Sequence, residues 1–204
     1  MNNPVCIITE KPSVAMDIAK VLNVTHKSEG YLYNDQYKIT WAYGHLVALA
    51  DPQTYGFTSY AREELPMLPK PFKLVVRQVK KKDGKGYEED DFARKQLDVI
   101  KQCFDSSERI IVATDAGREG ELIFRYIYYY LGCSKPFDRL WLSSMTDQAI
   151  RDAFTKLKEG QLYDNLYLAG KARSEADWLV GMNASRALTI ASNGSGGLSL
   201  GRVQ

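Results

Sequence analysis

Ile110-Ile111-Val112-Ala113-Thr114-Asp115-Ala116-Gly117-Arg118-Glu119-Gly120-Glu121 passes from apolar to acidic within one short stretch. The β-branched run reads as a short strand buried on both faces, the pattern of a parallel sheet. It stops at a carboxylate, turns through two small residues and opens a helix rich in acid. In open α/β sheets, ligands bind just beyond the carboxyl ends of such strands, and Asp115 falls there. Glu119 follows about one helical turn later. Two carboxylates at a strand end can seat a hard cation such as Mg2+, which takes oxygen ligands and keeps several waters. They can equally be a helix cap, Asp115, and a complement to the helix dipole, Glu119 to Glu121. This segment leaves both readings open.

The amino terminus favours the first. Val5-Cys6-Ile7-Ile8-Thr9 is a second buried-strand pattern, and it too ends in an acid, Glu10. Lys11, Pro12 and Ser13 follow, then an amphipathic run through Val14, Ile18, Ala19, Val21 and Leu22 at helical spacing. Pro12 or Ser13 opens that helix, since Pro is tolerated at the first position and Ser caps. Two strand-to-helix junctions thus present carboxylates at the same expected sheet edge. A lysine beside the first of them, at a helix start, suits phosphate.

These residues resemble the Toprim domain of type IA DNA topoisomerases, closest to the topoisomerase III branch. The resemblance runs nearly end to end. It is carried by Glu10-Lys11-Pro12-Ser13, Gly44-His45-Leu46, Leu65-Pro66-Met67-Leu68-Pro69 and the 114–121 acidic turn, in that order. The segments 139–146 and 172–187 follow, and then Ser199-Leu200-Gly201-Arg202-Val203-Gln204 within the family's DNA-contacting segment. The resemblance implies an α/β fold, a Toprim-type parallel sheet with helices on both faces, followed by the start of a helical domain. It places the Toprim domain at 1–145, with flexible loops near 51–71 and 80–90. The first part of a helical DNA-binding domain then covers 146–204, truncated at Gln204.

The implied activity is ATP-independent passage of one DNA strand through a transient break in another. A tyrosine attacks a phosphodiester, forms a 5′-phosphotyrosyl link and expels a 3′-hydroxyl. Glu10 is then the general acid and Lys11 the charge that steadies the phosphate, while Glu10, Asp115 and Glu119 hold Mg2+. The implied partners are single-stranded DNA, the remaining topoisomerase domains and a helicase, with no membrane.

Two departures matter. The family usually carries Asp-x-Asp-x-Glu, and here the middle acid is Gly117, so one weakly held Mg2+ is expected rather than two. Family enzymes are also several times longer and cut with a tyrosine far downstream. The chain has 13 Tyr in 204 residues, none in that nucleophile's context. The cluster Tyr126, Tyr128, Tyr129 and Tyr130 reads as helix packing and surface. An amino-terminal fragment, inactive by itself, is expected. Another Toprim enzyme, a primase or nuclease, and a non-catalytic DNA-binding module remain the alternatives.

Composition is that of an ordinary globular sequence, 45% hydrophobic and 25% charged, long enough for one good core plus an appendage. A formal charge of +2 announces no global basic field, so DNA contacts must come from local placement. Cys6, Cys103 and Cys133 lack zinc spacing and read as reduced structural thiols. No apolar run approaches a membrane span, and residues 1–4 lead straight into a strand. The expectation is a cytoplasmic, nucleoid-associated protein without a signal peptide.

The coarse order alternates strand and helix. Strands are expected over 30–46, 72–79, 109–114 and 137–142, and helices over 90–103, 118–131, from the Thr146 cap to Leu157, and 164–190. The 80–86 stretch reads as a mobile charged turn and 193–197 as a flexible glycine-rich loop. His45 could touch phosphate or pack partly buried. Trp178 could stack on a base, but core packing fits its neighbours better. Arg173 and Arg186 are candidates for positioning phosphates, Arg173 with a competing pairing to Glu175 or Asp177. Gly201 lets backbone approach DNA beside Arg202. Arg62 is the weakest DNA candidate.

Overall fold

The computed structural model describes residues 3–82, 84, 86–192 and 197–201. Arg202, Val203, Gln204 and most of the glycine-rich loop lie outside the described residues.

β1 (Val5–Thr9) leads into α1 (Pro12–Val21), and β2 (His26–Ser28), β3 (Tyr31–Tyr33) and β4 (Tyr37–Trp41) follow. β5 (Val47–Leu49) pairs with β6 (Leu74–Val76), and β7 (Gln78–Lys80) with β8 (Tyr87–Glu89). Then come α2 (Asp91–Asp105), β9 (Ile110–Ala113), α3 (Arg118–Tyr130), β10 (Phe137–Arg139), α4 (Asp147–Phe154), β11 (Lys158–Glu159) and α5 (Asp164–Ala191). The main sheet runs β11-β10-β9-β1-β4-β3-β2.

Its four central strands, β10, β9, β1 and β4, are parallel. The edges are antiparallel, a departure from a wholly parallel sheet. Ser28 faces Tyr31, so only Glu29 and Gly30 separate β2 from β3, and a connection that short can only reverse the chain.

The central strands are apolar throughout because both faces are covered. Cys6, Ile8, Ile110 and Val112 pack under α2 and α3, whereas Ile7, Ile111 and Ala113 pack against α1 and α4. Helices on both faces follow directly. α4, capped by the Thr146 hydroxyl accepting from Ala149 N–H, and β11 extend this layer past residue 145. The expected strand over 72–79 divides at Arg77, whose guanidinium reaches both Asp90 and the His45 carbonyl. A β-hairpin, β7–β8, flanks the expected charged turn.

The 51–71 segment holds two short 3-10 turns and is tied to α5. Met67 is fully buried, and its N–H and carbonyl both bond the Asn183 amide at 2.6 and 3.0 Å. Trp178 is core, as its neighbours suggested: it packs edge-on against Tyr55 and Phe72 and donates to the Ala50 carbonyl. Tyr126 and Tyr128 are buried and Tyr129 exposed. The three cysteines are free. Among the described residues, no helix is long and apolar enough to cross a membrane.

Candidate active site

Thr9 is in register with both Trp41 and Ala113, so β1, β4 and β9 end together and their following residues share one edge. Glu10 and Lys11 leave β1 there, Asp115 leaves β9, and His45 lies in the loop after β4. That loop turns through Tyr43 and Gly44, both left-handed at φ 50° and 75°. A non-glycine residue in this region is uncommon and concentrates at functional sites. The turn brings Gly44 N–H onto the Glu10 carbonyl at 3.3 Å and Ala42 N–H onto Thr9 at 2.9 Å.

The two sequence-predicted carboxylates of the acidic turn each have a nitrogen partner. Lys11 Nζ lies 3.2 Å from Asp115 Oδ2, and His45 Nε2 lies 2.6 Å from Glu119 Oε1. Asp115 is therefore no helix cap. The capping position of α3 is Gly117, which offers no side chain, and α1 likewise begins without a side-chain cap. Among the described residues, neither helix start has a side-chain cap, a setting that suits anions.

Glu10 is half-buried, and burial pushes its carboxyl above the ordinary range; the Asp115 carboxylate adds to the rise. Lys11, an N–H from the Asp115 backbone and His45 pull the other way. The Lys11 ammonium is held charged by its hydrogen bond to Asp115 and by Glu10.

Glu10, Asp115 and Glu119 share the edge, but among the described residues no three His, Cys, Asp or Glu side chains converge to hold a metal ion. Asp115 and Glu119 remain about half or more exposed, at 51% and 65%. Two accessible carboxylates fit Mg2+, which commonly uses one or two carboxylates and fills its remaining positions with water or substrate phosphate.

His45, Glu119, Arg173 and Ser174 line one cleft of about 370 Å3 between α3 and α5. A second, of about 680 Å3, is bordered by Tyr60, Arg77, Tyr87, Ser185, Ser199 and Leu200; Asp177 borders both. The 197–201 segment lies along α5, Leu200 exchanging bonds with the Ser185 hydroxyl. Gly181 approaches the Leu200 carbonyl, while Gly201 is exposed. Arg173 is exposed, with Asp177 at a loose 3.8 Å. Arg186 is different. It is buried, paired with Glu64 at 2.8 Å, donates to the Phe57 carbonyl and lies over the Tyr60 ring. Its guanidinium binds loop to helix, and the residue also lines the larger cleft. Arg62 is exposed in a 3-10 turn.

Sequence reading missed the charges beneath the acidic turn. Arg139 is fully buried and donates to the Val112, Thr114 and Asp115 carbonyls. Glu121, also fully buried, lies between Arg139 and Arg125. Burial holds its carboxyl above the ordinary range against the pull of both guanidiniums. The available signal was Glu121 itself: an acid on the turn of α3 that otherwise supplies Leu122, Phe124 and Ile127 to the core.

Comparison with known proteins agrees with this layout. The Toprim domain family model matches residues 5–145, and a model described as DNA topoisomerase matches 161–204. The chain is 49% identical over 202 residues to DNA topoisomerase 3 of Bacillus subtilis (strain 168). It is 50% identical over 200 residues to DNA topoisomerase 3 of Bacillus licheniformis. Each match covers 97% of this chain but 26% of the relative, so the chain spans about a quarter of their length. Full-length topoisomerase I from Thermotoga maritima superposes with a TM-score of 0.59 at 22% identity, over 90% of this chain and 26% of that one. That likeness concerns the fold.

Proposed function

Since this chain belongs to the Toprim domain family, we propose that its carboxylate edge is the cleavage and rejoining site of a type IA DNA topoisomerase of the topoisomerase III kind. The chain would supply the amino-terminal Toprim domain, 1–145, and the first part of a helical DNA-binding domain, 146–204, of a longer protein. The observation that carries the reading is the meeting of a half-buried Glu10, whose carboxyl is pushed up by burial, the Lys11–Asp115 pair and the His45–Glu119 pair at one set of strand ends. The relatives named DNA topoisomerase 3 and the 161–204 match support it over a primase or nuclease.

In this reading, a tyrosine from the rest of the protein gives up its hydroxyl proton to water and attacks a phosphodiester of single-stranded DNA, and the bond to the 3′ oxygen breaks. Glu10 delivers its proton to that oxygen, a task suited to a carboxyl whose proton affinity is raised by burial. Lys11, at the start of α1, offsets charge gathering on the phosphate. Asp115 and Glu119, with Glu10 at the margin, would hold Mg2+, which when bound supplies positive charge that orients the neighbouring DNA for religation. The strand approaches along α5, past Arg173 and His45 on one side and the Ser199-Leu200-Gly201 segment on the other. Arg62 and Arg202 to Gln204 are candidate outer contacts, and Arg186 serves by holding the cleft wall. The protein would act in the cytoplasm at the nucleoid, and a helicase is a further partner.

Calorimetric titration with Mg2+ tests the site. Wild-type chain should bind feebly, and Asp115→Ala should bind none. Gly117→Asp should tighten binding by an amount on the order of tenfold, about 1.4 kcal/mol, by adding an oxygen ligand. A Cβ at Gly117 meets nothing within 4 Å, so the substitution is sterically open. Equal binding by wild type and Asp115→Ala would place the metal elsewhere.

A further inference from the structure

Arg139 has no exposed surface, and its fork is given over to the backbone that carries Asp115. Nη1 donates to the Val112 and Thr114 carbonyls at 3.0 and 2.9 Å and to Thr114 Oγ1 at 3.1 Å. Nη2 donates to the Asp115 carbonyl at 2.7 Å. Burying an ion pair contributes little net stability and is often matched by apolar packing, so stability alone does not account for it. A planar guanidinium fixes several oxygens relative to one another, and here those oxygens define the exit of β9.

The charge continues outward. Glu121 Oε2 is in ionic contact with Arg139 Nε at 3.2 Å, without the alignment of a hydrogen bond. Glu121 Oε1 accepts from Arg125 Nε at 2.8 Å. Arg125 then reaches the Gly160 carbonyl at 3.0 Å and Asp164 Oδ1 at 2.7 Å, its guanidinium lying over Phe137 and Tyr167. Asp164 is the first residue of α5 and is half-exposed. Slack is small at the inner end: a Cβ on Gly120 would sit 2.1 Å from the Asp115 carbonyl oxygen, and Gly120 O accepts from Thr114 Oγ1 at 2.7 Å.

We infer that Arg139, Glu121, Arg125 and Asp164 form a positioning relay that fixes the Asp115 carboxylate and ties its placement to the first turn of α5. The relay rests on the reading of Asp115 as a metal ligand. None of its members touches the reacting atoms. α5 also carries Arg173, which shares a cleft with His45 and Glu119. The helix that borders the strand's path is thereby linked through buried charge to the acid turn.

Mn2+ is the probe, since oxygen ligands that suit Mg2+ also suit Mn2+, and free Mn2+ is counted by electron paramagnetic resonance without any activity assay. Arg125→Lys keeps the charge but cannot reach Glu121, Gly160 and Asp164 together. It should weaken Mn2+ binding by about tenfold, the scale of a lost outer-shell partner. Asp164→Asn should weaken it less, and the double variant should be no worse than Arg125→Lys, because both act along one chain. Ile150→Val, a core change under α4, should lower the melting temperature and leave Mn2+ binding unchanged. Backbone amide exchange at Glu121 and Leu140, whose N–H groups bond the Gly117 and Val112 carbonyls at 3.1 and 2.9 Å, gives a metal-free readout and should quicken in both relay variants. Wild-type Mn2+ affinity, or wild-type exchange, in folded Arg125→Lys and Asp164→Asn would overturn the relay whatever their melting temperatures. Equal Mn2+ binding by wild type and Asp115→Ala would instead remove the metal reading.

Discussion

Glu10 combines two demands that pull its carboxyl in opposite directions. Partial burial and the Asp115 charge raise its proton affinity, while Lys11 and a backbone N–H lower it, and burial wins. A folded-state pKa above the unfolded value, about 4.3, means the folded form binds more protons through that window. Stability from this group is then full at low pH and is lost as pH rises through the folded value. Glu10→Gln, a neutral isostere, should therefore melt higher than wild type at pH 7–8. The two should converge below about pH 4, where both states of the wild type are protonated. Scanning calorimetry across pH checks this, and a Gln variant less stable than wild type at neutral pH would show the carboxylate to be a structural anchor. Glu10, Lys11, Asp115 and Glu119 were legible because strand ends and helix starts are written locally. Arg139 was not, since nothing in Phe137-Asp138-Arg139-Leu140 says which charge lies beneath the sheet.

α5 organises the surface through three side chains on one face. Trp178 bonds Ala50, Asn183 closes both polar groups of Met67, and Arg186 holds Glu64. Together they turn the irregular 51–71 stretch into a wall of the larger cleft. Asn183→Ala leaves the Met67 N–H and carbonyl without these partners, a loss of roughly 1–3 kcal/mol. It should free the stretch for limited proteolysis within 57–66 while cleavage elsewhere stays as in wild type. Unaltered proteolysis there would mean that Trp178 and Arg186 suffice. The length of α5 was legible from its sustained helical pattern, but its role as an anchor for a loop more than a hundred residues away was not. β1 and β9 were legible because two-sided burial makes them apolar throughout. β2 is short, polar and exposed over His26-Lys27-Ser28, so no periodicity marked it.

As a whole, the molecule sets its candidate site where β1, β4 and β9 end and its candidate nucleic-acid clefts along a single long helix. The near-neutral sequence carries local charge, not a field: Arg173 stands at a cleft, whereas Arg125, Arg139 and Arg186 are held inside the fold. The chain spans 26% of the length of such a relative, and the proposed function looks for the nucleophilic tyrosine in a longer protein. The most direct test of the proposed site is DNA strand cleavage by that longer protein with Glu10→Gln and with Lys11→Ala, each verified as folded by its melting curve. Loss of a general acid or of transition-state charge predicts cleavage lowered roughly a hundredfold or more in each, with the fold retained. Near-wild-type cleavage by folded Glu10→Gln would contradict the assignment.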